Sequence, residues 1–179
     1  MESYSKKICL LGDFAVGKTS LVRRFVHNRF DDQYISTIGV KVSRKSVMIP
    51  HQATVVEVNM LVWDLAGSQK MTAVAASYLR GAAGALLVCD LTRAETLHAL
   101  PHYAADLHAV MAQVPLVIAA NKADLTTQHQ ITIDQVAEQA GALHAPYFLT
   151  SALAGDAVDH AFRQLATRLL DNERRRPHA

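Results

Sequence analysis

Residues 12–19 read Gly-Asp-Phe-Ala-Val-Gly-Lys-Thr, directly after the apolar run Ile8-Cys9-Leu10-Leu11. The G-x-x-x-x-G-K-[ST] spacing forces a buried strand to turn sharply into a helix, and its glycines let consecutive backbone N–H groups converge at the helix's positive end. Such a cradle suits the phosphates of a nucleoside triphosphate. The backbone of Asp13, Phe14, Ala15, Val16 and Gly17 would line it, with Ser20 following in the first helical turn. Lys18 brings a point charge to the β- and γ-phosphate oxygens, and Thr19 offers a hydroxyl to Mg²⁺.

The rest of the chain alternates as this strand-loop-helix unit requires. Apolar runs at Lys7–Leu11, Gly84–Cys89, Leu116–Ala120 and Tyr147–Leu149 predict buried parallel strands separated by helical crossovers. Val40–Ile49 and Thr54–Trp63, joined by Pro50-His51-Gln52-Ala53, predict a hairpin that places one antiparallel strand on a sheet edge. The expectation is an α/β fold of the P-loop nucleoside triphosphatase type, with a mostly parallel six-stranded sheet and helices on both faces. Pro101 is expected near the start of a helix reaching about Met111, because proline is tolerated in a first turn. Val158, Phe162, Leu165 and Leu169 recur at helical spacing and predict the buried face of the last helix.

Asn121-Lys122-Ala123-Asp124 closes the apolar run that ends at Ala120, on the same rim as the phosphate loop. A carboxylate there can accept from both the ring N–H and the exocyclic amine of guanine, whereas adenine has no such donor pair. Asp124 therefore selects guanine. Asn121 is expected to brace the loop and contact the base, and the Lys122 stem to lie over the ring with its ammonium near the phosphate loop. Thr150-Ser151-Ala152, after the Tyr147–Leu149 strand, offers backbone N–H groups to the guanine oxygen, with Leu153 beside them.

At 179 residues, half of them hydrophobic, the chain can bury one sizeable core, and residues 1–179 read as a single domain with a flexible basic tail over 171–179. A net charge of +2 is too small to imply nucleic acid. Cys9 and Cys89, each inside an apolar run, read as buried reduced thiols. No apolar stretch reaches membrane-spanning length, so the expectation is a soluble, cytoplasmic protein. His98 and His102 stand four apart, but Pro101 lies between them and nothing nearby completes a zinc set.

With these motifs in order, the chain resembles a small GTPase of the Ras superfamily, and most closely the Rab branch. The Rab likeness rests on Tyr34-Ile35-Ser36-Thr37-Ile38-Gly39-Val40, Trp63-Asp64-Leu65-Ala66-Gly67 and Ser77-Tyr78-Leu79-Arg80-Gly81-Ala82. The resemblance implies a GTP/GDP switch with Mg²⁺ held through Thr19, Thr37 and Asp64. It implies further that Thr37 and Gly67 sense the γ-phosphate, that Phe30 covers the guanine, and that Tyr34 closes over the phosphates. Effectors would engage Thr37–Val42 and Gly67–Tyr78; Trp63, Val42 and Tyr78 align with the family's hydrophobic effector surface, and Trp63 reads equally as core. An exchange factor and a GTPase-activating protein are implied partners, and vesicle trafficking an implied role. A nucleotide kinase is disfavoured, because no acceptor site or lid is recognisable.

Departures from the family pattern bear on catalysis. Where the family has its water-orienting glutamine, this chain has Ser68, with Gln69 one residue later. Phe14 fills a phosphate-loop position usually held by a small residue, where a ring would crowd an incoming arginine finger. Leu153 stands where lysine is common, with little consequence for a backbone contact. Both Ser68 and Phe14 point to slow hydrolysis, unless Gln69 swings in or a partner donates the missing amide; the alternative function is a hydrolysis-deficient module that recruits effectors in the GTP form. No cysteine follows Cys89, so prenylation is not expected and no stable membrane anchor is foreseen.

Overall fold

A computed structural model describes residues 2–28, 39–65 and 73–175. The strands are β1 Ser3–Leu11, β2 Val40–His51, β3 Thr54–Leu65, β4 Gly84–Asp90, β5 Leu116–Asn121 and β6 Tyr147–Leu149. They form one six-stranded sheet in the order β2-β3-β1-β4-β5-β6. Every neighbouring pair is parallel except β2 with β3. The helices are α1 Lys18–His27, α2 Ala73–Leu79, α3 Ala94–His98, α4 Leu100–Val110, α5 Ile133–Ala142 and α6 Val158–Arg175.

Side-chain alternation along the central strands divides the core in two. Ile8 and Leu10 of β1, Leu86 and Val88 of β4, and Val117 and Ala119 of β5 face α1 and α6. Cys9, Leu11, Leu87, Cys89 and Ile118 face the layer built by α3, α4 and α5. Both faces are apolar because a parallel sheet is covered by its own crossovers. Phe25 of α1 stacks on Phe162 of α6 with ring centroids 4.0 Å apart. Val158, Phe162, Leu165 and Leu169 are all buried, as the periodicity predicts. Cys9 and Cys89 are buried free thiols, and burial pushes them up to about 11 and about 12.

The hairpin strands run 12 residues each, two residues beyond the expected extents. The turn is only Gln52-Ala53, with Gln52 left-handed at φ 56°, and Pro50 lies within β2 opposite Val55. Proline is permitted there because β2 is the sheet edge and its missing N–H breaks no ladder.

The predicted tail needs correction over its first part, since α6 continues to Arg175. Glu173 pairs with Lys6 and Asp171 lies 3.8 Å from His51 Nδ1, so charged residues of the last turns are tied to β1 and to the hairpin. Arg174 and Arg175 also suit the negative end of the helix. Residues 176–179 lie outside the described residues. Among the described residues no helix is long and apolar enough to cross a membrane, and no three histidine, cysteine or acidic side chains gather as a metal-binding group.

Candidate nucleotide-binding site

The phosphate loop joins β1 to α1 and is packed too closely for side chains at its glycines. A Cβ on Gly12 would stand 2.3 Å from the Val88 carbonyl oxygen, and one on Gly17 would stand 2.2 Å from Asn121 Nδ2. Gly17 also has φ +105°, and Ala15 adopts φ 62°. Val16 is fully buried beneath the loop.

Lys18 is buried at the head of α1, where Nζ donates to the Gly12 and Asp13 carbonyls at 2.8 and 2.9 Å. Burial pushes its ammonium down to about 8, against the pull of Asp64 and Asp13, with Arg93 adding to the depression. Phosphate oxygens are the charge such a group lacks. Thr19 Oγ1 donates to Asp64 Oδ2 at 2.6 Å, which brings two of the three expected magnesium ligands together on a carboxylate only 1 % exposed. A hydroxyl beside a carboxylate oxygen is a donor set for a hard divalent cation, so these residues fit Mg²⁺. Ser20 follows them in α1.

Asn121 joins the phosphate loop to the base rim. At the end of β5 and 2 % exposed, it donates from Nδ2 to the Val16 carbonyl at 3.0 Å. Its Oδ1 accepts from Thr150 Oγ1 at 3.1 Å and from the Ala152 N–H at 3.3 Å. Ser151 Oγ donates to Asp124 Oδ1 at 2.8 Å, which sets the carboxylate expected to read guanine. The Ser151 N–H is taken by the Asp156 carbonyl, so Ala152, whose bond to Asn121 is long, is the freer donor for a base oxygen. Leu153 is exposed, and its carbonyl accepts from Arg24 Nη2 at 2.6 Å.

The Lys122 ammonium lies 2.7 Å from Asp90 Oδ2. Arg93 links that carboxylate to the phosphate loop: its Nη2 donates to the Phe14 carbonyl at 2.7 Å and its Nε lies 3.3 Å from the same Asp90 oxygen. Burial works to raise the Asp90 carboxyl, and its bonds from Lys122 and Thr92 outweigh this and leave it lowered. Tyr103 donates to Asp13 Oδ1 at 2.9 Å from the other side.

Sequence reasoning missed Asp90, Arg93, Tyr103 and Arg24. A fully buried aspartate ending the apolar run of β4 was a signal for the first of them. Phe14 itself is 53 % exposed. Phe30, Tyr34, Thr37, Gly67, Ser68 and Gln69 lie outside the described residues. On β2, Val42 is 49 % exposed opposite Trp63, whose part-buried ring packs 3.7 Å from Lys7 Nζ and 6.2 Å from the Tyr78 ring.

A glycine cradle, a buried lysine and a polar base rim gather at the carboxyl ends of the strands. They define a P-loop GTPase fold. The model of the Ras family matches residues 7–171, and the chain belongs to that family. It is 34% identical over 166 residues to the Ras-related protein Rab-4A of Danio rerio, covering 92% of this chain and 76% of that protein. It is likewise 34% identical over 168 residues to Ras-related protein Rab11A of Lotus japonicus, covering 93% and 72%. The GTP-binding protein ypt4 of Schizosaccharomyces pombe is 31% identical over 169 residues, with 93% and 72% covered. The chain is a Rab-like small GTPase.

Proposed function

We propose that residues 1–179 form one G domain that switches between GTP and GDP with slow intrinsic hydrolysis. The reading rests on Asn121, which joins a phosphate cradle to a guanine-selective rim through bonds to Val16, Thr150 and Ala152. Asp124, oriented by Ser151, accepts the guanine N–H pair, and the Ala152 N–H meets the guanine oxygen. Lys18 exchanges its two carbonyl partners for phosphate oxygens and stabilises charge as water attacks the γ-phosphate, releasing GDP and phosphate. Thr19 and Asp64, with Thr37, would hold Mg²⁺, which when bound neutralises phosphate charge. Gly67 and Thr37 serve as γ-phosphate sensors, and Phe30 and Tyr34 cover the nucleotide.

Slow turnover follows from Ser68, too short to orient water across the gap a glutamine spans, and from the exposed Phe14 ring, which obstructs an arginine-donating partner. Val42, Trp63 and Tyr78 belong to an effector surface that takes in Thr37–Val42 and Gly67–Tyr78. A trafficking role with an exchange factor and a GTPase-activating protein accompanies this reading. The same Ser68 and Phe14 favour a second one, a GTP-bound recruitment module without useful hydrolysis.

Single-turnover phosphate release from GTP-loaded protein separates them. Unaided hydrolysis is expected at or below the order of 10⁻⁴ per second seen for Ras, and Ser68→Gln should accelerate it. Rapid release by the unaltered protein, abolished by Gln69→Ala, would show that the neighbouring glutamine does the work. Release indistinguishable from zero in both forms supports the module.

A further inference from the structure

At the end of the sheet opposite the nucleotide rim lies a cavity of about 300 Å³. Its floor comes from the start of β5 at Leu116 and from the loops that enter β5 and β6, including Leu143, and its wall from the last two turns of α6. Arg168, Asp171, Asn172 and Arg175 all line it, at the spacing of one helix face.

Arg168 is incompletely satisfied there. Among the described residues its guanidinium bonds only to the His144 carbonyl, from Nη2 at 3.1 Å, while Nε is buried with no partner. The one carboxylate lining the cavity, Asp171, pairs instead with His51 at 3.8 Å. A half-buried guanidinium that gives up hydration without gaining a counter-ion is unfavourable, and its planar fork matches the oxygens of a phosphate or carboxylate. Arg175 adds a second cation on the same wall, and it is exposed.

We infer that this cavity binds a phosphate monoester, with its oxygens on Arg168 and Arg175 and its organic portion against Leu116 and Leu143. The inference does not depend on the hydrolysis rate. To test it, protein saturated with GDP and Mg²⁺ is titrated with phenyl phosphate, with the ring resonances of His108 and His144 followed by NMR. Saturable millimolar binding is expected, weakened at least tenfold by Arg168→Gln and by Arg175→Gln. Arg163→Gln, an exposed arginine of the same helix paired with Asp159, should leave it unchanged. Because Arg175 is exposed, its variant keeps the test meaningful even if Arg168→Gln fails to fold.

A parallel arm uses vesicles of phosphatidylcholine with and without phosphatidylinositol 4-phosphate. Retention on the latter, lost in Arg175→Gln, identifies a lipid headgroup as the source of the phosphate; binding of phenyl phosphate alone identifies a soluble one. No saturable response in either arm, or equal affinity in the Arg175→Gln and unaltered proteins, overturns the inference.

Discussion

Between Val16 and Lys18 the phosphate loop is locked from inside the fold, whereas at Asp13 and Phe14 it is held from outside. The inner half meets Asn121 so closely that Gly17 has no room for a Cβ. The outer half is tethered by Arg93 to the Phe14 carbonyl and by Tyr103 to the Asp13 carboxylate, and its phenyl ring projects into solvent. Steric fit fixes the half that shapes the cradle. The Phe14 tether runs through a backbone oxygen and so specifies no particular side chain there.

The sharpest way to break this comparison is Gly17→Ala. The new methyl would meet Asn121 Nδ2 at 2.2 Å on a residue with φ +105°, so nucleotide affinity should fall at least ~100-fold. A fluorescent-GDP titration showing less than about a tenfold loss would mean the inner half is not locked. Asp124→Asn should come next, costing GTP about 2–3 kcal/mol, or ~30- to 150-fold, and shifting preference toward xanthine nucleotides. Competition between GTP and xanthosine triphosphate measures this, and an unchanged preference removes Asp124 from the base pocket.

Arg93→Ala probes the outer half. Removing its bond to the Phe14 carbonyl should cost about 0.5–1.5 kcal/mol, read as a several-fold faster release of GDP. An effect as large as that of Gly17→Ala would erase the distinction between the two halves.

Stability should respond to pH through the strands beneath both halves. Cys89 is raised from 9.0 to about 12 by burial and then by Asp90, so the unfolded chain releases its proton first. Stability should therefore hold below pH 9.0 and fall above it, with Cys89 contributing about 1 kcal/mol between roughly pH 8 and 10. Urea midpoints for unaltered protein and Cys89→Ala should diverge in that interval. Phe14→Gly should have the smallest effect of all on unaided hydrolysis, less than about twofold, and reveal itself only as greater stimulation by an arginine-donating partner.

Much of this was readable before any coordinates. The phosphate loop, Asn121-Lys122-Ala123-Asp124 and Thr150-Ser151-Ala152 are each contiguous, and each follows an apolar run, so spacing alone carries their geometry. The contacts of Arg93 with Phe14 and of Arg24 with Ala152 and Leu153 join distant segments, and no local pattern encodes them. The pairing of the Lys122 ammonium with Asp90 escaped for the same reason, because Asp90 belongs to another strand. Pro101 correctly marked the first turn of α4, but the short preceding helix Ala94–His98 has no periodicity to announce it. Helix α6 outran its apolar stripe because its final turns are tied down by charged contacts.

The position of β1 at the middle of the sheet has a consequence for synthesis. Ser3 pairs with Glu57 and Ile8 with Gly84, so β1, which leaves the ribosome before the other strands of this sheet, has none of its neighbours until residues 54–90 have followed. At about 5–20 residues per second, β1 and its phosphate loop wait several seconds for their flanking strands. The base rim closes later still, since Thr150 must emerge before it can reach Asn121. Nucleotide can therefore reward folding only after Thr150 has emerged, when both rims exist to hold it. A nascent chain truncated before Thr150 should gain little protection from GDP, however complete its glycine loop.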